Sequence, residues 1–175
     1  MNVGEIIVAD CANGTGIRVS VFVSGCTNRC PGCFQPETWD FDFGKPYDAA
    51  VEDGILSELA KPYYTGLTVL GGEPFEPSNQ QELVKLIRRV RRELPQRDIW
   101  MYTGFTYESE LAPGGAKYTD VTDEILDSID VLVDGRFILA QKNLALRFRG
   151  SENQRIIDMK RTRAAGEVIL HPLSR

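Results

Sequence analysis

The chain has 175 residues, 42% hydrophobic and 26% charged, with 20 Lys and Arg against 25 Asp and Glu for a net charge of −5. That length suits a single domain, 1–175, with a core of its own, and the composition argues against disorder of the whole chain. The acidic balance disfavours a bulk electrostatic grip on nucleic acid, and no apolar run approaches the roughly 20 residues of a membrane span.

In chain order, Arg18 to Val23 alternates and stops at Ser24-Gly25, which predicts a strand. A loop rich in Pro, Gly and aromatics runs from Cys26 to about Tyr47. Asp48 is placed to cap a helix through about Ala60, with Val51, Ile55 and Leu59 at helical spacing, although Gly54 weakens it. Gly66 to Leu70 is a short apolar strand ending at Gly71-Gly72. Ser78 and Gln81 form a capping-box pattern before a helix presenting Leu83, Leu86, Ile87, Val90 and Leu94, which Pro95 ends. Asp98 to Tyr102 is the next strand, Thr122 to Ser128 a short helix, and Val131 to Val133 a strand ending at Asp134-Gly135. The tail from about Arg163 offers little pattern and is expected at the periphery.

Strands alternating with helices over short connections imply parallel strands joined by right-handed crossovers, hence an α/β fold. An open sheet and a partial barrel both satisfy this pattern, and both place a ligand site beyond the C-terminal ends of the strands. The cysteine loop, Gly71-Gly72-Glu73-Pro74, Thr103-Gly104 and Asp134-Gly135 each follow a strand, so they are expected on one rim.

The chain has four cysteines; Cys26, Cys30 and Cys33 fall within eight residues and Cys11 stands alone. Four are too few for a disulfide scaffold, and reduced thiols at C-x3-C-x2-C spacing suit a soft metal centre. Structural zinc wants four protein ligands, which here means recruiting Cys11 or the sole histidine, His171. A four-iron cluster on three cysteines leaves one iron free for a small molecule. An electron-transfer protein would instead want four cysteine ligands and a closed cluster. Gly32, after Pro31, allows close backbone approach.

C-x3-C-x2-C after a strand resembles the radical S-adenosylmethionine superfamily. The blocks Asn13–Arg18, Val21–Cys26, Cys30–Phe34, Thr38-Trp39, Leu70–Pro74, Asp98–Trp100 with Tyr102–Gly104, Val131–Gly135 with Phe137, and Arg149–Ser151 with Asn153-Gln154 resemble one family within it. That family is the activating proteins of anaerobic ribonucleoside-triphosphate reductase, and the likeness covers about residues 6–160. The resemblance implies a partial (β/α) barrel with mainly parallel strands. It implies a [4Fe–4S] cluster on Cys26, Cys30 and Cys33, and S-adenosylmethionine at Gly32, Cys33, Phe34, Gly71, Gly72 and Glu73. Gly71 and Gly72 would expose backbone to the methionine end, and Glu73 would accept from its ammonium. Reductive cleavage would give methionine and a 5′-deoxyadenosyl radical, which takes hydrogen from a glycine of the reductase catalytic subunit. No side chain is assigned a catalytic role of its own. The implied partners are that subunit and a flavodoxin- or ferredoxin-like electron donor.

Many superfamily members carry an aromatic just before the last cysteine. Here that position is Gly32, and Phe34 follows instead. Activation of a different glycyl-radical enzyme is the nearest alternative, although its larger activators carry extra cysteines that this chain lacks. Met1 to Asp10 has no basic start of a secretory signal, so a cytoplasmic location is expected. Arg88, Arg89, Arg91 and Arg92 read as a solvated face or a docking surface. Trp39, Phe41 and Phe43 read as a cover for the cluster or a contact for the partner. Arg18 is read as pairing a carboxylate or binding substrate, and Asn153-Gln154 as capping or pairing backbone.

Overall fold

The computed structural model describes residues 1–174. Its centre is one seven-stranded sheet built from β1 (Asn2–Asp10), β2 (Arg18–Val23), β3 (Lys45–Pro46), β4 (Gly66–Gly71), β5 (Asp98–Tyr102), β6 (Val131–Asp134) and β7 (Arg155–Asp158). The spatial order is β3-β1-β2-β4-β5-β6-β7. β2, β4, β5 and β6 run parallel; β1 pairs antiparallel with β2 and β7 antiparallel with β6, and β3 pairs antiparallel with β1 at the edge. The order begins at β3 and ends at β7 without joining, so the mixed α/β fold has an open sheet and no closed barrel. Among the described residues, no helix is long and apolar enough to cross a membrane.

The helices are α1 (Ala49–Leu59), α2 (Pro77–Glu93), α3 (Thr122–Ser128) and α4 (Met159–Ala165). Because the parallel strands follow in sequence, right-handed crossovers put α1, α2 and α3 on the same side of the sheet. The main core forms there: Ile55, Leu59, Leu83, Leu86, Ile87, Val90 and Ile125 pack on Val19, Val21, Val23, Leu67, Val69, Ile99, Met101 and Leu132. Each such side chain contributes roughly 1.5–3 kcal/mol when fully buried, an upper figure because the unfolded chain is itself partly collapsed. The alternate strand positions point the other way. A smaller cluster of Trp100, Val131, Val133 and Ile156 sits on that face with Tyr102, Phe148 and Leu173.

Asp48 caps α1 as expected, accepting from the Val51 N–H at 2.9 Å. The capping box at Ser78 does not form. Pro77 takes the first helical position, where no N–H is needed, and Glu76 is the N-cap residue with its side chain engaged elsewhere. Arg18–Val23 is the second strand, not the first. β1 escapes the alternation test because its pairing with β2 slips at two bulges, between Val3 and Glu5 and between Ile7 and Asp10. The tail after α4 returns to β7, where Asp158 N–H donates to Ile169 O (2.9 Å) and His171 N–H to Ile156 O (2.8 Å).

Candidate metal centre

The C-terminal ends of β2 and β4 are joined to the cysteine loop by backbone bonds that continue the sheet. Gly72 N–H donates to Val23 O (2.7 Å), Glu73 N–H to Gly25 O (2.9 Å) and Gly25 N–H to Thr38 O (2.8 Å). A Cβ on Gly72 would lie 2.7 Å from the Gly25 carbonyl oxygen and 2.8 Å from that of Thr38. Gly71 has φ +107°, and a Cβ there would meet the Val23 backbone at 2.7 Å. Gly71 is thus demanded by the close approach of β2, and Gly72 by that of the loop.

Glu73 is 1% exposed and ties the ends of β4 and β5 to the same loop. Its Oε1 accepts from Phe75 N–H (3.0 Å) and Thr103 Oγ1 (2.8 Å); its Oε2 accepts from Gly104 N–H (2.7 Å) and Asn28 Nδ2 (3.0 Å). Burial nonetheless outweighs these donors and pushes the carboxyl up to about 7. Glu76, also buried, accepts from Thr27 N–H (2.8 Å) and Lys117 Nζ (2.9 Å), pinning the loop from the helical side.

Cys26 and Cys30 are buried and Cys33 is half-buried; all three are free thiols. They open together on a cavity of about 530 Å³, with Gly32, Phe34, Gly71, Gly72 and Glu73 in its wall. The rim expected from the sequence is therefore assembled, with Thr103, Gly104 and Gly135 also lining it. Burial first, and then the Glu73 carboxylate, push the Cys26 thiol up to about 11; burial also raises Cys30. These sulfurs hold their protons at neutral pH unless a cation replaces them. Three soft donors opening on a space of that size fit an iron–sulfur cluster.

A family model described as a 4Fe-4S single cluster domain matches residues 12–157. An anaerobic ribonucleoside-triphosphate reductase-activating protein of Escherichia coli (strain K12) is 37% identical over 156 residues, covering 88% of this chain and 96% of the relative. Its namesake in Vibrio cholerae serotype O1 is 39% identical with the same two coverages. One from Enterobacteria phage T4 is 36% identical over 159 residues, covering 89% of this chain and 93% of the relative. The chain belongs to the family of anaerobic ribonucleoside-triphosphate reductase-activating proteins.

In this member of the activating family, several residues sit away from the cavity. Cys11 is exposed and follows Asp10, which pairs with the first residue of β2, so it lies at the opposite end of that strand from Cys26. His171 stacks edge-on against Trp100 at 6.0 Å. Arg18 pairs a carboxylate: fully buried, it bonds Asp98 (2.5 Å) and Thr68 (2.6 Å). The arginines of α2 are mostly tied to neighbouring elements. Arg88 pairs with Glu124 of α3, Arg89 with Glu52 and Asp53 of α1, and Arg91 with Asp130, whereas Arg92 pairs with Glu93 of its own helix. Trp39 lines the cavity, while Phe41 packs against Gly25 and Phe43 against Gly4 on the outer side of the loop.

Sequence reasoning passed over Asn28, which bridges Glu73 and Arg136, and Tyr102 in the cavity wall, whose buried hydroxyl has no partner among the described residues. The polar identity of Asn28 inside the C-x3-C spacing was the only available signal for it. For Tyr102 the signal was its place at a strand's C-terminal end.

Proposed function

We propose that this chain activates an anaerobic ribonucleoside-triphosphate reductase by radical S-adenosylmethionine chemistry. The reading is carried by Cys26, Cys30 and Cys33 opening with the Gly71–Glu73 rim on one cavity. The three thiolates hold a [4Fe–4S] cluster, which when bound supplies the electron that splits S-adenosylmethionine into methionine and a 5′-deoxyadenosyl radical, the species that takes hydrogen from a reductase glycine. Gly32, Cys33, Phe34, Gly71 and Gly72 form the wall against which the methionine end lies. Glu73 has both oxygens engaged, so its part is to fix the rim and place negative charge facing the substrate ammonium. The single-wound sheet acts as part of a barrel wall, and the partner covers the cavity so that water is kept from the reacting atoms. A flavodoxin- or ferredoxin-like protein provides the electron from outside, in the cytoplasm, and 1–175 works as one unit.

The test uses anaerobically iron-loaded protein with S-adenosylmethionine and dithionite. The reading expects 5′-deoxyadenosine, and a glycyl radical by EPR once the reductase is added. Iron-loaded protein that forms no 5′-deoxyadenosine refutes the chemistry. Nucleoside formation with no radical on the reductase refutes the partner.

A further inference from the structure

The segment between β6 and β7 is Gly135 to Gln154; its part up to Ser151 holds Arg136, Lys142, Arg147 and Arg149 and no Asp or Glu, and Glu152 follows, in a chain of net charge −5. Both of its ends are pinned. Gln154 Oε1 accepts from Gly150 N–H (2.8 Å), and its Nε2 donates to Gly135 O (2.9 Å). Asn153 Nδ2 donates to Arg136 O (2.8 Å). The pair Asn153-Gln154 thus fastens backbone, one of the two roles read from sequence. The middle projects: Leu144 is 89% exposed and Leu139 51% exposed. Phe34, 78% exposed, joins them from the cysteine loop, and Leu139 packs where a Cβ of Gly32 would stand. Isolated apolar residues on a surface are ordinary, but Phe34 and Leu144 both line the cavity, and Leu139 adjoins Gly32 in its wall.

The cations of α2 and α4 largely pair with carboxylates, whereas among the described residues Lys142 and Arg147 form no ion pair. The neighbouring Glu152 faces Asn143 instead, accepting from its Nδ2 at 3.1 Å. An apolar tip flanked by unpaired cations is complementary to a surface bearing carboxylates around an apolar centre.

We propose that Gly135–Ser151 is a docking strap for an acidic face of the reductase, set beside the glycine that enters the cavity. This rests on the activating role argued above. The reductase is the favoured occupant because the strap borders the mouth through which hydrogen transfer passes. An electron donor has another approach, a groove behind the loop lined by Cys26, Arg29, Trp39 and Phe41.

The experiment compares Arg147→Glu, which lies outside the cavity lining, with Arg161→Glu, which alters the helical face, using iron-loaded full-length protein. Association with the reductase is followed at low and high ionic strength, beside 5′-deoxyadenosine formation with dithionite. The strap variant is expected to associate at least about tenfold more slowly at low salt, with the gap closing near about 1 M. Its reductase-free cleavage stays at the wild-type rate. An unchanged association rate, or an equal loss in the helical-face variant, overturns the proposal. So does normal association combined with selective loss of reduction by a flavodoxin, which would assign the strap to the donor. Absence of cleavage in the wild type would sink the radical chemistry instead, and the association measurement would still judge the strap.

Discussion

Gly72→Ala tests whether Gly72 serves the loop. The added Cβ would stand 2.7 Å from Gly25 O and 2.8 Å from Thr38 O, both backbone atoms. Relaxed C···O contacts lie at about 3.3–3.6 Å, so the loop must retreat by about half an ångström or more. Retreat stretches the Glu73-to-Gly25 bond and disturbs the Gly25-to-Thr38 bond beside it. Overpacking costs about 1–3 kcal/mol, and a buried donor left without its acceptor a similar amount. A loss of about 2–4 kcal/mol is expected in the urea stability of metal-free protein, large against a typical total of about 5–15 kcal/mol but survivable. Amide exchange at Cys26 and Glu73 should accelerate more than at Val69 in β4, and iron uptake should fall. A variant that melts within about 0.5 kcal/mol of wild type and takes up iron normally refutes the reasoning.

Gly54→Ala is the converse case: among the described residues nothing lies within 4 Å of its Cβ position in α1, so a gain of about 0.5–1 kcal/mol is expected in the same urea titration. Cys30→Ala should abolish iron retention while Cys11→Ala leaves it intact, as read by iron and sulfide analysis; iron loss in the second variant would bring Cys11 into the ligand set. Glu73 titrates near 7 in the fold against an ordinary 4.5, so the folded chain binds the extra proton between those values. Metal-free stability should therefore fall by about 3 kcal/mol relative to Glu73→Gln as pH rises through that window, and hold steady above it. Parallel urea midpoints for the two proteins across the window would contradict this.

Local signals carried the elements that have local causes. Asp48 capped α1, Pro95 followed the end of α2, and β4, β5 and β6 stood at their apolar runs. What stayed hidden depends on partners distant in sequence. β1 is irregular because its bulges shift alternation, and β7 is set by pairing with β6 rather than by its own pattern. The Ser78 capping box failed because the helix already begins at Pro77, with Glu76 as the N-cap residue and its carboxylate taken by Thr27 and Lys117. At the site, cysteine spacing made the loop legible, but the ring of donors around Glu73 was not. Phe75, Asn28, Thr103 and Gly104 come from three separate segments, and only folding reveals that they converge.

The backbone ladder that runs from β2 and β4 into the cysteine loop has a thermal corollary. A segment stitched into the sheet by its own amides cannot loosen as an independent flap; it shares a cooperative unit with the strands that carry it. Heating iron-loaded protein should accordingly bleach its colour and collapse its far-ultraviolet signal along a single superimposable curve.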